Sequence, residues 1–131
     1  MSALVLASAS AARARLLEAS GVGVTIDPAA IDEAHIKTEQ RARGAAAGDC
    51  ALRLGEAKAL AVVPRHPGAL VLGADQMLEC GDEWFDKPAS LEEARGQLRA
   101  LGGREHTLVT AAAVVRDEHV LWRHVEHPRV T

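Results

Sequence analysis

Two continuous apolar runs, Ala3-Leu-Val-Leu-Ala7 and Ala69-Leu-Val-Leu-Gly-Ala74, constrain this chain most. Each is too short for a buried helix and lacks the alternation of a half-wet strand. Runs of this kind suit strands covered on both faces. Each is followed at once by polar residues, Ser8-Ala9-Ser10 and Asp75-Gln76. In sheets built from strands alternating with helices, ligands sit at the carboxyl ends of strands. The two polar junctions are therefore the first places to look for chemistry.

The remaining segments fill in an α/β pattern with parallel pairs. Ala11 to Ser20 is rich in Ala, Leu and Arg and ends on Gly21, a helix with a glycine stop. Val22 to Ile26 reads as a strand ended by Pro28, with Ile31-Asp32-Glu33 in a loop or edge position. Arg41 to Gly48 reads as a loop or frayed helix start. A helix capped by Asp49 is expected from Cys50 to Val63, stopped by Pro64 and Pro67. Asp75-Gln76 ends the third strand. Met77 to Cys80 and Trp84 to Phe85 read as a hairpin turning at Gly81-Asp82. Ser90-Leu-Glu-Glu93 is a capping box, and Leu91, Ala94, Leu98 and Leu101 form one apolar helix face behind it. His106 to Val115 and Val120 to Val125 read as strands joined around Asp117. No repeat or long linker divides the 131 residues, so residues 1–131 are expected to be a single domain.

Composition narrows the function. Charged residues make up 25% and apolar residues 48%, so the chain can build a core. A net charge of −3 argues against nucleic acid as a partner. The aromatics are Trp84, Phe85 and Trp122, too few for base-stacking platforms of the single-strand-binding type. No apolar run approaches the ~20 residues that span a bilayer, so no membrane partner is expected. Cys50 and Cys80 have no metal-ligand spacing and read as buried thiols in a reducing cytoplasm.

Several residues have two readings. Ser8 and Ser10 before a helix carrying Arg13 and Arg15 suit an anion, because a helix start offers unpaired N–H groups. A plain serine cap is the alternative. Asp75, directly after a buried run, occupies the place of a metal or catalytic carboxylate, or caps a turn. Lys58 and Lys87 are two of three lysines, either functional or merely solvated. His119, His124, Glu126 and His127 cluster near the end, but His127 points away from the face shared by His124 and Glu126, which disfavours a chelate. Neither a P-loop nor a GxGxxG motif occurs.

Taken together, Ser8-Ala-Ser10 with Arg13, Ile31-Asp32-Glu33, Glu56-Ala-Lys58-Ala59, Leu72-Gly73-Ala74-Asp75, Phe85-Asp86-Lys87-Pro88 and Leu101-Gly-Gly-Arg104-Glu-His106 stand in the order found in one family. The sequence resembles the Maf family. The resemblance implies a mixed twisted sheet flanked by helices, similar to inosine triphosphate pyrophosphatases. It also implies hydrolysis of nucleoside triphosphates, non-standard or modified, to a monophosphate and pyrophosphate with Mg²⁺ or Mn²⁺. An association with septum formation comes with it.

Carried over by position, Asp75, Lys87 and Glu33 are catalytic, and Ser8, Ser10, Arg13, Lys58 and Gln76 bind substrate. Asp75 and Glu33 hold the metal. Three departures stand out. Ser10-Ala-Ala-Arg13 lacks one arginine of the family's segment, and Gln76 replaces a common threonine, marking a subgroup with a different base preference. The chain also ends at Thr131, where family members continue, so it reads as truncated at the C-terminus. A sheet left open there is expected to form a homodimer. A protein that binds nucleotide or a division protein without turnover is the alternative reading.

Overall fold

The computed structural model describes residues 4–8, 11–21, 23–80, 83–85, 90–102, 106–127 and 129–130. The strands are β1 (Leu4–Leu6), β2 (Val24–Ile26), β3 (Leu70–Cys80), β4 (Glu83–Phe85), β5 (His106–Arg116), β6 (His119–Glu126) and β7 (Arg129–Val130). The helices are α1 (Ala11–Ala19), α2 (Glu33–Ala42), α3 (Ala47–Val62) and α4 (Leu91–Leu101), with a 3₁₀ turn at Val63–Arg65. One mixed sheet runs in the order β2-β1-β3-β5-β6, with β4 added to β3 and β7 to β5. β1 pairs in parallel with β2 and β3, and every other pairing is antiparallel.

The core lies between α3 and the sheet. Ala47, Cys50, Ala51, Leu54, Gly55, Ala59 and Val62 line one side of α3 at helical spacing and are buried, the pattern of a helix with one covered face. They meet Val5, Val71 and Val115 toward one end and Met77, Val109 and Ala111 toward the other. Full burial of each large side chain, such as Leu54 or Val62, contributes roughly 1.5–3 kcal/mol. The helix lies unusually close. A Cβ on Gly73 would fall 1.9 Å from the Gly55 carbonyl oxygen and 2.9 Å from the Ala59 nitrogen, so backbone meets backbone there.

Four expectations need correction. The run ending at Ala74 and the segment Met77 to Cys80 are one strand, because β5 pairs with every residue from Leu70 to Glu79. Asp75 and Gln76 thus lie inside β3 and do not end it. Glu33 is not in a loop; it is the first residue of α2, behind an Asp32 cap whose side chain accepts from the His35 N–H at 3.0 Å. Asp49 caps nothing: Ala46 is the cap residue of α3, and Asp49 sits in the first turn, where its charge suits the helix dipole. In α4, Ser90 Oγ does accept from the Glu93 N–H at 3.1 Å, but Leu91 is 68% exposed and covers no core. The Gly81-Asp82 turn and the side chains of Leu98 and Leu101 lie outside the described residues.

Candidate active site

The site begins where β1 stops. β1 pairs with β3 only through Leu72, with one more bond from the Ala7 N–H to the Leu72 oxygen. On the same side of β3, β4 begins pairing at Leu78. Between them, among the described residues, no strand pairs with that edge of β3, which makes a notch in the sheet at residues 74–77. Ser8, 8% exposed, lies two residues past the end of β1.

α3 carries Lys58 over this notch. Its Nζ donates to Asp75 Oδ1 at 3.0 Å and to the Ala74 oxygen at 3.4 Å, and lies 3.2 Å from Glu33 Oε1. Three elements therefore meet in one contact: Lys58 from the middle of α3, Asp75 from inside β3, and Glu33 from the start of α2. The Gly55–Gly73 approach makes the first of these geometrically possible, because it lowers α3 onto β3 one helical turn before Lys58. Lys58 and Asp75 are largely buried, and Glu33 is half exposed.

Among the described side chains, one ammonium faces two carboxylates, so this part of the site carries more negative than positive charge. Asp75 Oδ2 is buried and has no hydrogen-bond partner among the described residues. A buried carboxylate oxygen without a partner is costly, and it is free to accept a proton, a water or a hard cation. Two carboxylates supply oxygen donors of the kind Mg²⁺ and Mn²⁺ prefer, leaving positions for waters and phosphate oxygens. No larger group of His, Cys, Asp and Glu among the described residues suits a metal. In particular, His124 Nε2 lies 3.0 Å from Glu126 Oε1, while His127 packs toward Gly48.

The structure thus unites Asp75, Glu33 and Lys58 and sets Ser8 beside the notch. Gln76 is placed differently from Asp75. Successive residues of a strand face opposite ways, and Gln76 is exposed, its Nε2 donating to Thr110 Oγ1 at 3.4 Å on the face away from Lys58. Ser10, Lys87 and the side chain of Arg13 lie outside the described residues. Two features escaped the sequence. Gly55 carried a signal, since a glycine inside a helix costs about 1 kcal/mol against alanine and needs a reason. The Asp27–Arg65–His66 cluster carried none. Arg65 donates twice to Asp27 at 2.9 Å, and His66 Nε2 lies 2.8 Å from Asp27 Oδ2. Those bonds, Arg65 first, hold the Asp27 carboxyl down at about 2.

Comparison with known proteins follows the same lines. A nucleoside triphosphate pyrophosphatase of Paramagnetospirillum magneticum is 48% identical over 127 residues, covering 97% of this chain and 66% of that protein. A 7-methyl-GTP pyrophosphatase of Mesorhizobium japonicum is 50% identical over 122 residues, 93% of this chain and 61% of that protein. The chain thus spans about two thirds of the length of these relatives. Among solved structures, a nucleoside-triphosphatase (dITP/XTP pyrophosphatase) from Mycobacterium abscessus superposes with a TM-score of 0.53 at 22% identity, covering 96% of this chain and 70% of that one. At that identity the likeness is one of fold. The Maf-like protein family matches residues 3–131, and with the notch, its lysine and its two carboxylates lying inside that match, the chain belongs to the Maf family.

Proposed function

We propose that this protein hydrolyses a nucleoside triphosphate, non-standard or modified, to a monophosphate and pyrophosphate. The observation that carries the reading is Lys58 held between Asp75 and Glu33 while Asp75 Oδ2 stays buried with no partner among the described residues. Water attacks the α-phosphorus, the bond to the bridging oxygen breaks, and pyrophosphate leaves. Asp75 orients that water as a metal ligand or takes its proton as general base, using the oxygen that Lys58 does not hold. Lys58 stabilises charge on the phosphates, joined by Arg13 and Lys87, and Ser8 with Ser10 donates to phosphate oxygens at the start of α1. Mg²⁺ or Mn²⁺ would be held by Asp75 and Glu33 and would supply charge neutralisation and orientation of the triphosphate. Gln76, on the other face of β3, contacts the nucleoside part across the notch. The relatives' names divide between general and 7-methyl-GTP pyrophosphatases, so we infer a modified purine triphosphate as the substrate class.

The same reading includes a homodimer and a cytoplasmic setting. Buried, unbridged Cys50 and Cys80 support the latter. Among the described residues no helix is long and apolar enough to cross a membrane.

The test is pyrophosphate release from a panel of normal and modified nucleoside triphosphates, 7-methyl-GTP included, with Mg²⁺, with Mn²⁺ and with chelator. Release from a subset of the panel, lost with chelator and in Asp75→Asn, is expected. Undiminished release by Asp75→Asn would remove Asp75 from the chemistry. Nucleotide binding without release from any substrate would turn the reading to a binding protein.

A further inference from the structure

Glu33 is the least anchored member of the cluster, because the helix that carries it is barely embedded. α2 has no buried residue. Ile36, with Ile31 just before the helix, is only partly buried where it packs against the core cluster under α3. At the far end of α2, the Arg41 guanidinium lies over the Trp84 ring, 4.7 Å from its centre. Trp84 belongs to β4 and packs against that same core cluster. The helix therefore bridges two points roughly 12 Å apart along its axis, eight residues at 1.5 Å each. One end touches Lys58 through Glu33, and the other rests on β4.

We propose that Arg41 and Trp84 are positioning residues: their contact docks α2 and so holds Glu33 against Lys58. The inference rests on the functional reading above for what Glu33 does, but not for whether the contact docks the helix. A rigid helix transmits the tie. If its end at Arg41 lifts, the hold on α2 weakens toward that end, and Glu33 leaves the ammonium more readily. A cation–π contact at a site of this exposure shifts such an equilibrium by about two- to fivefold.

Hydrogen exchange read by mass spectrometry on the full chain tests this directly. In Arg41→Ala and in Trp84→Leu, amides of α2 should exchange about two- to fivefold faster, with those of α3 unchanged in the same sample. Arg41→Lys and Trp84→Phe, which keep the charge and the ring, should restore much of the protection. Equal exchange of α2 in wild type and Arg41→Ala overturns the proposal. So does faster exchange of α3 to the same degree, which would mean general loosening. The kinetic arm asks whether the effect passes through Glu33. Arg41→Ala should lower kcat by no more than the exchange factor, and should lower it no further when added to Glu33→Gln. A full additional loss in that background overturns the role assigned to the pair. Should the wild type release no pyrophosphate at all, the functional reading fails by itself, and exchange still decides the contact.

Discussion

Lys58 is the residue on which the cluster balances. With its ammonium gone, Asp75 keeps a charge that is 13% exposed and loses its 3.0 Å partner. Breaking one half of a buried pair costs about 3 kcal/mol, because the remaining charge stays desolvated. Lys58→Met should therefore lower both stability and pyrophosphate release, where a purely solvated lysine would change neither. Urea unfolding beside an activity assay reads the two effects, and an unchanged unfolding midpoint would contradict the geometry. Asp27 supplies a second test, through pH. Its carboxyl is held at about 2, chiefly by Arg65 and then by His66, below an ordinary value of 3.8. The folded state thus binds this proton less readily than the unfolded chain. The stabilisation is complete above the unfolded value and fades as pH falls from about 4 to about 2. Asp27→Asn should unfold at lower urea than wild type at pH 7, and the two midpoints should converge near pH 2. Because the pair is exposed, added salt should shrink the gap at pH 7 as well. A gap constant with pH would show that the ion pair contributes nothing.

Between elements, the decisive distance is that of α3 from β3. Gly73→Ala would put a methyl group 1.9 Å from the Gly55 oxygen, so α3 must move or the core must open. Gly55→Ala is gentler: its Cβ would meet the Gly73 oxygen at 3.2 Å, a shift of a few tenths of an ångström. Alanine also favours the helix by up to about 1 kcal/mol, which offsets the crowding. Gly55→Ala should therefore keep its thermal midpoint while losing about tenfold in kcat, since small displacements of a charge-stabilising group weaken catalysis steeply. Melting and turnover measured on one preparation check this; a parallel fall in both would mean simple destabilisation. Gly55 inside a helix and Gly73 inside an apolar run are each visible as locally costly glycines, but that they meet is not, because contact between remote glycines leaves no local pattern. α2 leaves no clear mark in the sequence for a related reason. It buries nothing, so it lacks apolar periodicity, and it is held by its Asp32 cap and by Glu39 lying 3.9 Å from both His35 and Arg43. Read locally, β3 breaks in two at Asp75-Gln76, because polar residues interrupt its run. Its continuity comes from β5, a strand whose pairing no local reading of residues 70–80 contains. By contrast β1, α1 and the β5–β6 hairpin were legible, since apolar runs, glycine stops and the turn at Asp117, with φ of 52°, are local signals.

For the whole molecule, the sheet has two unequal edges. β2 offers only three residues, whereas β6 offers eight and has a partner strand on one side only among the described residues. Short edges resist pairing with other chains, and long ones invite it. β6 also exposes Leu121 at 54% and Trp122 at 49%, with the Trp122 and His124 rings stacked 5.7 Å apart. Its attachment to the rest is secure, since Arg123 donates to Glu56 of α3 and the strand pairs with β5 along its length. Among the described residues this edge is apolar in part and open, and we propose it as the site of the homodimer contact. Leu121→Lys combined with Trp122→Lys adds two positive charges per chain at that edge, and two like-charged edges repel. The wild type should sediment as a dimer at micromolar concentration and the double variant as a monomer. Stability should move little, because both side chains are already half in water. Turnover should persist, because Lys58 and Asp75 lie beside β3, about two strand spacings or ~10 Å from β6. A wild type that sediments as a monomer would refute the dimer outright. A dimer untouched by both charges would move the contact to another surface. Loss of turnover on dissociation would show that the second chain completes the notch, making the assembly part of the active site.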